Sequence, residues 1–267
     1  LLLDRPAHDW DFTVARGAMR LARRVADRLG GAYFALDAER DTARVVLDDP
    51  TSREPAILDF AGLRGDSLQA DLRWRDFTLN AIAMTLDGEV IDPLGGRRDL
   101  AARRVRAVSG TTFVQDPVRL LRAVRVAGEL GFDIAPDTVA ALRTHAPKIT
   151  SASDERIQME LVRILDLMPA APHLRHLDDF GLLEHVLPEL GPLQATEQSR
   201  PHHYRTVWDH TLAVVAAVES VLAPLCGESR PSRALREVKA PAWAWSALDA
   251  RLAPFQRLLL AYVQAPL

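Results

Sequence analysis

Two aspartates one residue apart, in His8-Asp-Trp-Asp-Phe-Thr-Val14, are the first groups in the chain whose type and spacing suit chemistry. Their aromatic and β-branched neighbours read as a strand, on which successive side chains alternate faces. Asp9 and Asp11 therefore point one way, Trp10 and Phe12 the other. Paired carboxylates on a rigid strand make half a cage for a hard divalent cation such as Mg²⁺, which takes oxygen ligands. A cation held there can activate an attacking hydroxyl and offset the charge of a phosphoryl group in transfer. A strand with one solvated acidic face has the same pattern. Asp59, in the strand-like run Ile57-Leu-Asp-Phe-Ala61, would complete a two-metal site or act as general base. A strand-end Asp in a turn is equally open there.

Three later stretches also carry unusual polar groups. In Arg75-Asp-Phe-Thr-Leu-Asn-Ala-Ile-Ala83, charged and amide groups abut an apolar strand-like run. Arg75 suits a triphosphate, which a guanidinium can grip bidentately, and Asp76 and Asn80 could order the loop or a sugar. A cap built from Asp76, Thr78 and Asn80 is the plainer alternative. Asp92-Pro-Leu-Gly-Gly-Arg-Arg-Asp-Leu100 follows, with a Gly pair suited to a tight turn. In Phe113-Val-Gln-Asp-Pro-Val-Arg-Leu-Leu-Arg-Ala-Val-Arg125, Asp116 precedes Pro117 at an expected helix start. Asp116, Arg119, Arg122 and Arg125 then recur every three residues as a spiralling polar stripe. A carboxylate beside a guanidinium matches a base edge with an amino group next to a ring acceptor, which cytosine and adenine share. An exposed helix laced with ion pairs, Arg125 to Glu129 among them, has the same spacing. His203 and His210 would share a helix face, but a metal site needs its full ligand count, so structural histidines are the safer reading.

These groups need elements to hold them. Residues 17–29 have helical apolar spacing that ends at Gly30-Gly31, and β-type runs follow at 32–36, 43–47 and 56–61. Residues 77–92 read as a hairpin across Asp87-Gly88. Beyond about 109 the chain is helical, over 117–130, 136–145, 153–168, 170–180 and 204–222, with a last helix from 254. The plan is an α/β head, a mixed sheet with helices, followed by an all-α body. At 267 residues there is length for two or more domains. The single cysteine, Cys226, excludes an internal disulfide framework and a Cys-based zinc site, and suits a reducing cytoplasm. No apolar run reaches the length of a membrane span, and no signal-peptide pattern occurs. A net charge of −3 argues against a general polycation. Nucleic acid would have to meet local basic surface, such as Arg97, Arg98, Arg103, Arg104 and Arg106. The chain starts at Leu1 and stops within an apolar segment, so a fragment at both ends is expected.

Taken together, residues 8–14, 71–83, 92–100 and 113–132 resemble the bacterial class II tRNA nucleotidyltransferase/poly(A) polymerase family. The stretches Asp71-Leu-Arg-Trp-Arg-Asp-Phe-Thr-Leu-Asn-Ala-Ile-Ala83 and Gln115-Asp-Pro-Val-Arg-Leu-Leu-Arg-Ala-Val-Arg125 are long and specific matches in the family's order. The resemblance implies a catalytic nucleotidyltransferase head over 1–110, truncated at its N-terminus. It implies a helical neck and body over 111–190 that bind the base and the tRNA, and the start of an HD-like region over 191–267. It implies that Asp9 and Asp11 bind Mg²⁺ and that Arg75 contacts the nucleotide. By the same match Asp116 and Arg119 read the base, while Arg122 and Arg125 support the nucleotide pocket and its phosphates. The implied activity is template-independent addition of C and A to the 3′ end of tRNA from CTP and ATP. The implied partners are the tRNA acceptor end and the two nucleotides, with no membrane and no protein partner. CC-adding, A-adding and poly(A) polymerase activities are the near alternatives; an HD-type phosphohydrolase and a non-catalytic RNA-binding module are the distant ones. The family's Gly-Gly-x-Val-Arg-Asp stretch would precede Leu1, so the fragment alone is expected to be weak or inactive. Trp74 and Gln115 stand where the family usually has Arg and Glu.

Overall fold

The first strand, β1 (Asp9–Val14), leads through Gly17 into helix α1 (Ala18–Leu29). A three-stranded run follows: β2 (Ala32–Asp37), β3 (Thr42–Leu47) and β4 (Ala56–Gly62). The chain is described here from a computed structural model, over residues 9–48, 55–197 and 206–225 and the isolated positions 2, 246, 250 and 251. The four strands form one sheet in the order β1-β4-β3-β2. β1 is parallel to β4 and the other pairs are antiparallel, so the sheet is mixed as the sequence predicts.

α1 closes one face of this sheet. Ala18, Ala22 and Ala26, spaced four apart, are buried against Ala43, Val45 and Phe60, with Phe12, Tyr33 and Leu58 around them. Three alanines in a row allow the helix backbone to approach the sheet closely. The Phe12 and Phe60 rings stack with centroids 5.1 Å apart. The helix stops where the Gly pair predicts. Gly30 sits at φ +71°, a left-handed conformation that only glycine adopts without cost, and its N–H bonds to Ala26 O.

The N-terminus of α1 has no cap of its own and takes one from the β2–β3 turn. Asp41 Oδ2 accepts from Ala18 N at 2.8 Å and Oδ1 from Met19 N at 3.0 Å. Those two N–H bonds hold the Asp41 carboxyl below its ordinary pKa, against burial. Asp41→Ala is expected to cost about 1 kcal/mol, the usual worth of an N-terminal cap. Because the folded pKa is the lower one, this stability is present above the unfolded carboxylate pKa and is lost as pH falls through the folded value. Urea denaturation of both proteins at pH 7 and near pH 3 checks this: the difference between them should shrink in acid.

Contacts divide the chain into two units, residues Leu1–Arg75 with Ala83–Pro93, and residues Asp76–Ile82 with Leu94–Leu267. The seam thus lies before 110, and the segment 76–82 belongs with the helical unit. To the first unit α2 (Leu68–Arg73) adds a turn of helix. The predicted hairpin over 77–92 is much shorter in the structure. Only β5 (Ala83–Met84) and β6 (Val90–Ile91) pair, and Thr78–Asn80 is a 3₁₀ turn. A short apolar run fits strand or helix equally by periodicity, and here long-range bonds decide. Thr78 N donates to Arg106 O, and Phe77 bridges Ala107.

The second unit opens with α3 (Gly96–Ala101), β7 (Arg104–Val105) and α4 (Thr112–Gln115). The Gly pair read as a turn is in fact the start of α3, and a Cβ on Gly96 would run into the Thr78 carbonyl. α5 (Arg119–Leu130) begins two residues after Pro117, later than predicted. β8 (Asp133–Ile134) makes a small parallel pair with β7, an exception to the predicted all-helical body. α6 (Pro136–His145), α7 (Asp154–Leu165), α8 (Ala171–Asp179), α9 (Leu183–Val186), α10 (Gly191–Ala195) and α11 (Val207–Leu225) complete it. Their common core is Phe77, Phe113, Leu120, Leu121, Val124, Leu142, Ile164, Leu177 and Leu212. Among the described residues no helix is long and apolar enough to cross a membrane. The predicted last helix from 254 lies outside the described residues.

Candidate functional site

In the first unit α1 covers one face of the sheet, and the carboxylates stand on the other. Strand alternation puts Asp9 and Asp11 on that open face, and both are exposed. Neither has a hydrogen bond or ion pair among the described residues. Register brings Asp59 directly beside Asp11, and Arg44 directly beside Asp59 on the next strand. Asp59 is taken: Arg44 Nε and Nη2 donate to its two oxygens, each at 2.8 Å. Those hydrogen bonds raise the Arg44 pKa against burial, and the charges of Asp59, Asp9 and Asp11 add to the effect.

A cavity of about 190 Å³ opens on this face, lined by Asp11, Thr13, Leu36, Thr42, Asp59 and Arg75 among others. Arg75 is aimed by Asp71, which lies in α2 and is only 3% exposed. Asp71 Oδ2 accepts from Arg75 Nη2 at 3.1 Å, and Oδ1 accepts from Arg64 N at 3.0 Å. One half-exposed guanidinium and two exposed carboxylates thus share a face. The donor set of Asp9 and Asp11, two exposed carboxylates two residues apart on one strand, suits a divalent cation. Asp59, the third carboxylate of this face, has each oxygen bonded to an N–H of Arg44 and keeps its remaining lone pairs. Among the described residues no group of three or more His, Cys, Asp or Glu is arranged to hold a metal.

In the second unit every charge of the predicted nucleotide-reading stretch is engaged. Asp76 is buried: Oδ1 accepts from Phe77 N at 2.8 Å and Asn80 Nδ2 at 3.0 Å, while Oδ2 lies 2.8 Å from Arg122 Nε. Asp76 and Asn80 therefore order their own turn. Thr78 Oγ1 donates to buried Asp99, which also accepts from Arg106 Nε.

Asp116 precedes α5 in extended conformation, and Arg156 of α7 clamps it at 3.0 and 2.7 Å. Burial raises the Asp116 pKa, but the Arg156 hydrogen bonds and charge outweigh it and hold the carboxyl below its ordinary value. Arg119 Nη1 lies 3.4 Å from both Thr112 O and Gln115 Oε1.

The alternative of an exposed helix laced with ion pairs holds only in part. Arg119 and Arg125 are 9% and 8% exposed, because α5 is enclosed by α7, α8 and their neighbours. Arg125 lies inside, with Nε 2.6 Å from Glu160 Oε2 and Nη1 2.6 Å from Glu129 Oε1. Its two carboxylate partners hold its pKa above the ordinary value despite burial.

Residues 1–106 match the poly A polymerase head domain, and residues 131–193 match the probable RNA and SrmB-binding site of polymerase A. The CC-adding tRNA nucleotidyltransferase of Geobacter sulfurreducens is 45% identical over 182 residues, 68% of this chain and 41% of the relative. The Multifunctional CCA protein of Xanthomonas campestris pv. campestris (strain B100) is 40% identical over 182 residues, 66% of this chain and 42% of the relative. A solved tRNA nucleotidyltransferase, complexed with a primer tRNA and an incoming ATP analog, superposes with a TM-score of 0.67. That match has 25% identity and covers 100% of this chain and 81% of the solved one.

The chain belongs to the tRNA nucleotidyltransferase/poly(A) polymerase family. It spans about two fifths of the length of the curated relatives it matches. The family typically uses a divalent metal, which accords with the oxygen donors of Asp9 and Asp11.

Sequence reasoning missed Arg44, Asp71, Arg156 and Glu160, which hold the predicted residues in place. Asp71 is inside the quoted motif and was legible as a member of it. The others are 15, 40 and 35 residues from their partners, and nothing local marks them. His203 lies outside the described residues; His210 lies on α11.

Proposed function

We propose that this chain carries the catalytic head and the base-reading helices of a tRNA nucleotidyltransferase, adding C and A to the 3′ end of tRNA from CTP and ATP without a template. The observation that carries the reading is the open sheet face bearing Asp9 and Asp11 beside Arg75, on a chain whose relatives act on tRNA ends. In the reaction the tRNA 3′-hydroxyl oxygen bonds to the α-phosphorus, its proton is released, and the bond to pyrophosphate breaks. Asp9 and Asp11 would hold Mg²⁺, which when bound lowers the barrier to attack and offsets the charge of the leaving pyrophosphate. Arg75, steadied by Asp71, would meet the phosphates with a guanidinium of fixed direction. Asp116 would accept from the amino group of cytosine or adenine, and Arg119 would donate to the neighbouring ring acceptor. Arg122 and Asp76, with Asn80, would brace the pocket, and Arg125 would brace it from the core.

Residues 1–110 would serve as catalytic head, 111–190 as neck and body, and 191–267 as the start of an HD-like region. A protein of this kind works in the cytoplasm. The 45% identity to a CC-adding enzyme favours one second reading, in which addition stops after two C residues. The test restores the Gly-Gly-x-Val-Arg-Asp stretch ahead of Leu1, offers tRNA ending at the discriminator base, and tRNA ending in CC, with CTP, ATP or both, and reads product length on a sequencing gel. Growth through the terminal A is the expected result. A stop at CC selects the second reading, and growth of the CC-ending substrate alone selects A addition. Failure to extend any substrate overturns the proposal.

A further inference from the structure

A sheet covered on one face and open on the other should alternate, apolar toward its helix and polar toward water. β1 obeys: Phe12 and Val14 pack with the α1 core, while Asp9, Asp11 and Thr13 take the open face. β2 does not. Tyr33 packs with the α1 core as expected, yet Phe34 and Leu36 are 50% and 54% exposed. Pairing sets Phe34 beside Arg44, Arg44 beside Asp59 and Asp59 beside Asp11, so these four side chains form one rung of the open face. Leu36, at a register shift in β2, lines the same cavity as Asp11, Asp59 and Arg75.

β2 is an edge strand, where exposed apolar side chains favour unwanted pairing and are ordinarily replaced by charged ones. Two apolar side chains set among charges are too small a surface for a folded protein partner. Their neighbours fit another occupant. Arg44 gives Nε and Nη2 to Asp59 and keeps a further nitrogen on a side chain that is 40% exposed. A ring for stacking beside a guanidinium for a phosphate is the arrangement that holds single-stranded nucleic acid. Three strand spacings of about 4.8 Å put Phe34 about 14 Å from Asp11. A strand drawn out beyond the stacked spacing of about 3.4 Å covers that span in two or three nucleotides.

We propose that Phe34 and Leu36 form a shelf for unpaired bases of the tRNA 3′ strand, with Phe34 stacking on a base and Arg44 meeting the adjoining phosphate. The shelf holds the discriminator base or the first C while the hydroxyl of the last nucleotide stands at the carboxylates. The inference rests on the reading of this face as the site of nucleotide addition to tRNA.

The test is the fluorescence anisotropy of a labelled acceptor-stem hairpin RNA ending in CC, titrated with the chain. A second RNA is abasic at the discriminator position and at the first C. The wild-type chain should bind the intact RNA about tenfold more tightly than the abasic one, the size of one lost base stack. Phe34→Ala should bind both RNAs alike, at the wild-type affinity for the abasic one. Phe34→Trp should keep the tenfold difference, whereas Phe34→Leu, apolar but without a ring face, should lose most of it. A thermal melt confirms that each variant is folded. Equal binding of the two RNAs by the wild-type chain overturns this inference alone. So does a tenfold difference that survives in Phe34→Ala, or a Phe34→Leu variant that matches wild type. No binding of the intact RNA by the wild-type chain overturns the tRNA reading, and this inference with it.

Discussion

Asp11→Asn is expected to lower nucleotide incorporation by about a thousandfold or more while leaving the unfolding midpoint where it was. The side chain is exposed on the open sheet face and has no partner among the described residues, so folding does not depend on it. Asparagine has the same shape and loses only the charge. A metal at a transferring phosphoryl group supplies several kcal/mol of charge stabilisation, and every 1.4 kcal/mol is about tenfold in rate. Incorporation of labelled CMP and AMP into tRNA lacking its 3′ end measures the loss, and a thermal melt measures the fold. A variant keeping more than about a tenth of the activity would remove Asp11 from the chemistry. One that loses activity together with its melting transition would make Asp11 a structural residue.

The second large effect is on stability. Glu160→Ala should destabilise the helical unit by about 3–5 kcal/mol, because it strips a buried charge of its partner. Arg125 is 8% exposed, and its Nε bond to Glu160 ties α5 to α7. The remaining partner, Glu129, is 42% exposed and sits on α5 itself, so it cannot replace that tie. Glu129→Ala should therefore cost less than about 1 kcal/mol, in the range of a half-solvated pair. The double variant Arg125→Met/Glu160→Leu removes both charges and should recover most of the loss, since no uncompensated ion is left in the core. Urea denaturation followed by circular dichroism separates the four proteins. If the double variant is as unstable as Glu160→Ala, the cost is lost packing and not an orphaned charge.

These expectations show which parts of the molecule are legible in its residues. Alternation along Asp9–Val14 is a local property, so the separation of Asp9 and Asp11 from Trp10 and Phe12 follows from the chain itself. So does the stop of α1 at Gly30, where a left-handed residue is needed. Helix α6 runs from Pro136 to His145, as predicted, because a proline start is also local. The segment 76–82 was not legible in this way. Its apolar pattern permits a strand, and the 3₁₀ turn forms because Thr78, Asp76 and Phe77 bond to residues 106–108.

The sequence by itself determined the family, the order of the first four strands and of the longer helices, and the side chains with the right chemistry. Only the tertiary structure decided which of those charges are already neutralised. Asp59 reads as an unpaired carboxylate until β3 brings Arg44 to it. Arg119 and Arg125 of α5 could face solvent by their spacing alone until the helices around them bury both, and α7 gives Arg156 to Asp116 and Glu160 to Arg125. Ion pairing depends on which side chains meet across strands and helices far apart in sequence. Local periodicity holds no record of those meetings, so packing alone leaves Asp9 and Asp11 open on the sheet and places their neighbours in pairs.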